Sequence, residues 1–121
     1  MRFTTSLPAE PASVPKAREA LEVLEGAVPD LSLRNARLLT TELVTNVVRH
    51  VAHGEVELDV VHADGRLRIE VRDEGGGFHH GDPPADPERE SGWGLVLIQR
   101  AADRWGTTLD GRFGVWFEVP G

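Results

Sequence analysis

At 121 residues, 40% of them hydrophobic and 27% charged, the chain has the length and composition of one globular domain with a real core and no room for a second. Its formal net charge of -7 argues against nucleic-acid binding, which relies on clustered Lys and Arg to neutralise phosphates. Zero cysteines exclude a disulfide framework and a thiolate zinc site, no apolar run approaches the roughly 18 residues of a membrane span, and Met1-Arg2-Phe3-Thr4-Thr5 lacks the apolar core of an export signal, so a cytoplasmic protein away from membranes is expected.

The first element is a short strand, Arg2 to Leu7, in which Phe3, Thr5 and Leu7 alternate with polar neighbours; Pro8 and Pro11 break it, and an edge position is expected. From Ser13 the spacing of Val14, Ala17, Leu21 and Leu24 is helical, with Ser13 as N-cap and Pro15 in the first turn, where a missing N–H does no harm; Gly26 and Pro29 end it. A long helix capped by Ser32 then runs to about His50 or Val51, where Gly54 stops it. Two alternating strands follow, Glu55 to His62 and Arg66 to Arg72, joined by Ala63-Asp64-Gly65. Val56, Leu58, Val60, Leu67, Ile69 and Val71 form their buried side, while Glu57, Asp59, Arg66, Arg68, Glu70 and Arg72 are expected on a wetted side.

Between Gly75 and Ser91 the chain is rich in glycine, proline and acid and has no periodicity, which reads as a mobile loop. Leu95, Ile98 and Ala102 then mark a helix from Gly94, and strands at about Trp105 to Leu109 and Phe113 to Val119 flank the turn Asp110-Gly111-Arg112. The order β-α-α-β-β-loop-α-β-β predicts an α/β (α+β) two-layer sandwich over residues 1–121, a mixed but mostly antiparallel sheet with helices on one face.

The chemistry concentrates on the long helix. Glu42 and Asn46 lie one turn apart on one face, with Arg49 and His50 a further turn along, beside the apolar stripe Leu39, Leu43 and Val47. An acidic and an amide oxygen suit a hard cation such as Mg²⁺, and a carboxylate can orient or deprotonate a nucleophile; a solvated helix face would look the same. Downstream, Asp73-Glu74-Gly75-Gly76-Gly77-Phe78 closes a strand, and Ser91-Gly92-Trp93-Gly94-Leu95 opens a helix. A helix N-terminus after glycines can face phosphate groups.

Taken in order, these three segments resemble the N, G1 and G2 boxes of the GHKL, or Bergerat, ATP-binding superfamily of histidine kinases, gyrase-type ATPases and anti-sigma-factor kinases. The resemblance runs from about Leu31 to Pro120. Glu42 to His50 together with Ala102-Asp103-Arg104-Trp105-Gly106 look most like the stand-alone regulatory ATPases of the anti-sigma-factor serine/threonine kinase type. It implies ATP and Mg²⁺ as ligands, Glu42 as general base or as the group that orients the attacking hydroxyl, Asn46 in the Mg²⁺ shell, and Arg49 and His50 near phosphate. It implies further that Asp73 accepts a hydrogen bond from the adenine amino group, that Gly75 and Gly77 let the backbone approach the base, and that Gly92, Trp93, Gly94 and Leu95 form the phosphate end. With a net charge of -7, such a site must depend on local donors and a metal rather than on bulk field.

Two departures from the pattern stand out. Trp93 occupies a place where relatives commonly carry a smaller or basic residue, and Gly114 is read as the place of a last-strand threonine that orders water around adenine. The remaining histidines, His53, His62, His79 and His80, read as loop or surface groups. The implied activity is transfer of the ATP γ-phosphoryl to a Ser or Thr of an antagonist protein, with a sigma factor as a further partner and homodimerisation left open. A nucleotide-gated binding module without transfer, and a detached histidine-kinase catalytic domain, are the alternatives.

Overall fold

The computed structural model describes residues 1–74 and 94–121, so the expected loop over 75–91 lies outside the described residues. Its elements are β1 (Arg2–Pro8), α1 (Ser13–Ala20), a 3₁₀ turn (Leu21–Leu24), α2 (Asp30–His50), β2 (Glu55–Ala63), β3 (Arg66–Asp73), α3 (Gly94–Ala101), β4 (Arg104–Asp110) and β5 (Arg112–Pro120).

The starts of α1 and α2 differ from the sequence expectation. Ser13 does not cap α1; its hydroxyl donates to the Pro8 carbonyl at 2.6 Å and ties the helix back to the end of β1. The helical run expected to reach Gly26 tightens at Leu21, because a repeat of three puts Leu21 and Leu24 on one line and both are fully buried. Helix α2 begins at Asp30 directly after Pro29, whose ψ of 144° is extended. Asp30 places a carboxylate in the positive first turn, while Ser32 lies inside the helix, 4% exposed.

The five strands form one sheet in the order β1-β2-β3-β5-β4. Every pairing among the described strands is antiparallel, in keeping with the mostly antiparallel sheet expected, and β1 takes the expected edge. Helix α2 packs on β3 and β5, α3 on α2 and β4, and α1 on α2 and β1. The face they cover is apolar: Leu58, Val60, Leu67, Ile69, Val71, Val115, Phe117 and Val119 are each at most 2% exposed, as are Leu39, Leu43 and Val47 of α2. These alternating positions are what antiparallel strands with one covered face require.

The other face is charged but not simply wetted. Asp59 takes Arg2 at 3.1 Å, Glu57 takes Arg112 at 2.9 Å, and Glu70 accepts from both Arg72 Nε and Thr108 Oγ1 at 2.8 Å. Arg68 lies 4.1 Å above the Trp116 ring. Glu70 is thereby only 6% exposed with no helix above it among the described residues, which corrects the expectation of a solvated side chain.

Candidate functional site

The end of α2 and the end of β3 meet at one end of the sheet. After His50 the chain turns through Val51–Gly54, with Ala52 at φ 58° and Gly54 at φ 71°, and enters β2 at Glu55. Since Glu57 pairs with Arg72, the start of β2 lies beside the end of β3. Asp73 therefore closes β3 near the C-terminal end of α2. It shares the helix-side face with Leu67, Ile69 and Val71 and is 1% exposed. Helix α3 reaches β4 through a two-residue link and packs on α2 and β4. Because β4 runs toward Leu109, which pairs with Phe113 opposite Asp73, the N-terminal end of α3 at Gly94 lies toward the same end.

Along α2 the expected face divides by depth. Asn46 is 4% exposed, and its Oδ1 has no hydrogen-bond partner among the described residues. A buried amide oxygen left without a donor costs about 1–3 kcal/mol, which makes this atom a candidate ligand position. Glu42, one turn earlier, is half-buried, and removal from water raises its carboxyl above the ordinary value of 4.5, while the Arg49 guanidinium pulls it back down. Arg49 and His50 are exposed at the helix end, where the Arg49 cation complements the dipole.

These groups fit an oxygen-preferring cation. Asn46 offers one carbonyl-type oxygen, and no group of three His, Cys, Asp or Glu among the described residues forms a protein-only metal cage. Magnesium is commonly held in this way, by one or two protein oxygens with phosphate oxygens and water completing the shell. A groove of about 440 Å³ lined by Glu25, Asp30, Leu33, Arg34 and Arg37 lies at the other end of α2 and contains none of the expected site residues.

Gly75, Gly77, Gly92 and Trp93 lie outside the described residues. Gly94 is the first residue of α3 and Leu95 follows in its first turn. The role expected of Gly114 is corrected by the register, which sets Phe113 opposite Asp73 and turns Gly114 to the open face between Arg72 and Thr108. A Cβ on Gly114 would lie 2.6 Å from Thr108 Oγ1, so this glycine makes room for the charge ladder on the face away from Asp73. Phe113 at the position beside Asp73, and Glu74 just after it, were missed. Cross-strand register would have found Phe113, but a single sequence does not fix register to one residue.

A family model described as the histidine kinase-like ATPase domain matches residues 7–112. Comparison with curated proteins finds no match.

Proposed function

The chain belongs to the histidine kinase-like ATPase domain family, and from that premise we propose that it binds ATP with Mg²⁺ and transfers the γ-phosphoryl to a serine or threonine of an antagonist protein in the cytoplasm, holding a sigma factor as its regulated partner. The observation that carries this reading is the pair on α2: a buried Asn46 oxygen with no partner among the described residues, one turn from a carboxyl whose proton affinity burial raises.

In this mechanism Asp73 receives the adenine amino group. Guanine would present a carbonyl to the same carboxylate, two acceptors facing each other in a buried place, at a penalty of about 1–3 kcal/mol. Asn46 would hold the magnesium ion, which when bound supplies charge neutralisation across the phosphate oxygens during transfer. Arg49 and His50 stand at the helix end to meet phosphate charge. Glu42 takes the proton from the acceptor hydroxyl as that oxygen bonds to the γ-phosphorus. The bond from the γ-phosphorus to the bridging oxygen breaks, and ADP leaves with that electron pair. A carboxylate with raised proton affinity is the stronger base for this step, provided the pH exceeds its pKa.

Calorimetric titration with Mg²⁺ and ATP or GTP tests the reading. The parent should prefer ATP, and Asp73→Asn should weaken ATP roughly tenfold. Glu42→Ala should hold ATP affinity within a few-fold while cutting phosphoryl transfer by roughly 10²–10⁴. Equal affinity for ATP and GTP in the parent would overturn the role of Asp73. Unchanged ATP consumption in Glu42→Ala would leave binding without this transfer mechanism.

A further inference from the structure

We infer that Glu74 is a positioning residue whose carboxylate latches the Asp73 end of β3 to the turn that follows α2, fixing the base-reading group relative to the helix that carries Glu42 and Asn46. The inference rests on the reading of Asp73 given above. Glu74 Oε2 accepts a hydrogen bond from the Glu55 backbone N–H at 2.8 Å. The paired register of β2 and β3 stops at Glu57 and Arg72, so at Glu55 the side chain of Glu74 takes the place that the ladder no longer fills.

Gly54 supplies the room. Its φ of 71° belongs to the left-handed region, and a Cβ built there would fall on the Glu74 carboxylate. The same residue accepts from the Ala9 N–H at 3.0 Å, so the turn is held to the end of β1 as well. On the α2 side, Val51 and Ala52 both donate to the Val47 carbonyl, at 2.9 and 3.1 Å, and so join the turn to the helical segment that carries Asn46. One carboxylate thus lies between the strand end that reads the base and the helix that carries Glu42 and Asn46. Glu74 is exposed and belongs to no core cluster, so its removal leaves the apolar packing intact.

Three chains decide the matter: the parent, Glu74→Ala and Glu74→Gln. Glu74→Gln keeps an acceptor oxygen of the same reach. The ATP-over-GTP affinity ratio should fall roughly tenfold in Glu74→Ala and recover in Glu74→Gln, with Tm nearly equal in all three. Amide hydrogen exchange without nucleotide should show the Glu55 N–H protected in the parent and in Glu74→Gln and open in Glu74→Ala. A parent without ATP preference removes the reading of Asp73 while the exchange result still reports on the latch. Equal Glu55 exchange in all three chains, or an unchanged nucleotide ratio in Glu74→Ala, overturns the positioning role. Gly54→Ala, with Glu74 intact, should copy the Glu74→Ala nucleotide phenotype because its methyl displaces the carboxylate.

Discussion

Each face of the sheet holds deeply buried positions, reached by opposite means. On the helix side, Val71 and Val115 are excluded from water by α2 and its neighbours, and the row ends at Asp73. On the open side, one residue along each strand, Glu70 is 6% exposed because Arg72, Thr108 and the Trp116 region close over it. Apolar burial favours removal from water wherever a partner face exists and specifies little about partners. The polar ladder requires a particular neighbour at each position, since an unmatched charge there costs more than the match contributes. The proposed chemistry uses the first face, where a low-dielectric surround strengthens the few polar groups present. The second face holds the strands in register.

Substitutions on the two faces sharpen that contrast. Phe117→Ala, fully buried on the covered side, should cost about 3–5 kcal/mol in denaturant unfolding. Glu70→Ala, on the open side, should cost about 1–3 kcal/mol by leaving Arg72 and Thr108 without their acceptor, and ATP affinity should stay at the parent value. A double-mutant cycle with Thr108→Ala isolates the shared bond. Should Glu70→Ala cost only the ~0.2–1 kcal/mol of an exposed pair, the open face would be as wetted as its alternation suggested.

That alternation shows where the sequence was legible. Period-two apolar positions located β2, β3 and β5 to within a residue or so, and the stripe Leu39, Leu43, Val47 located α2, because these patterns express one covered face directly. The Glu42–Asn46 pair was visible for the same reason: both sit on one flank of that stripe. Glu70 was misread because its burial comes from Thr108 on a strand 38 positions away, which no local pattern encodes. Gly114 was misassigned because a one-residue shift in β5 exchanges its faces. The start of α2 was misplaced because Ser32 has the side chain of a cap, yet Pro29 already ends the extended backbone and Asp30 supplies the charge. The depth of Asn46 follows from how α2 settles on the sheet, a tertiary fact.

Helix α2 itself carries a smaller version of the contrast. Thr40 Oγ1 and Asn46 Oδ1 are both buried without a partner among the described residues, and six positions put them about 120° apart around the helix. One is proposed to await a ligand; the other has no such assignment. Thr40→Val should therefore raise stability by about 1 kcal/mol with ATP affinity unchanged. Asn46→Leu should hold stability within about 1 kcal/mol and abolish the Mg²⁺-dependent part of ATP binding. If Thr40→Val weakens nucleotide binding as Asn46→Leu does, the two atoms are not functionally distinct and the site reaches further into the core.

The smallest expected effect comes from Glu42 and is read through pH. Burial raises its carboxyl above 4.5, with Arg49 opposing the rise, so the folded chain binds this proton more tightly than the unfolded chain. Stability from the group is then fully present below 4.5 and is lost as pH rises through the raised folded value. Glu42→Gln removes the dependence, since an amide meets the same surroundings without a charge to desolvate. Its Tm should exceed that of the parent at neutral pH, and the gap should close on acidification and vanish below about 4.5. Arg49→Gln takes away the opposing charge, so in that background the gap should widen and reach to higher pH. Phosphoryl transfer by the parent should rise with pH across the interval in which the Tm gap opens, because the base acts only once deprotonated. A Tm gap that is the same at acid and neutral pH would show that Glu42→Gln acts through packing, and the carboxyl would then lack the raised proton affinity on which its assignment as base depends.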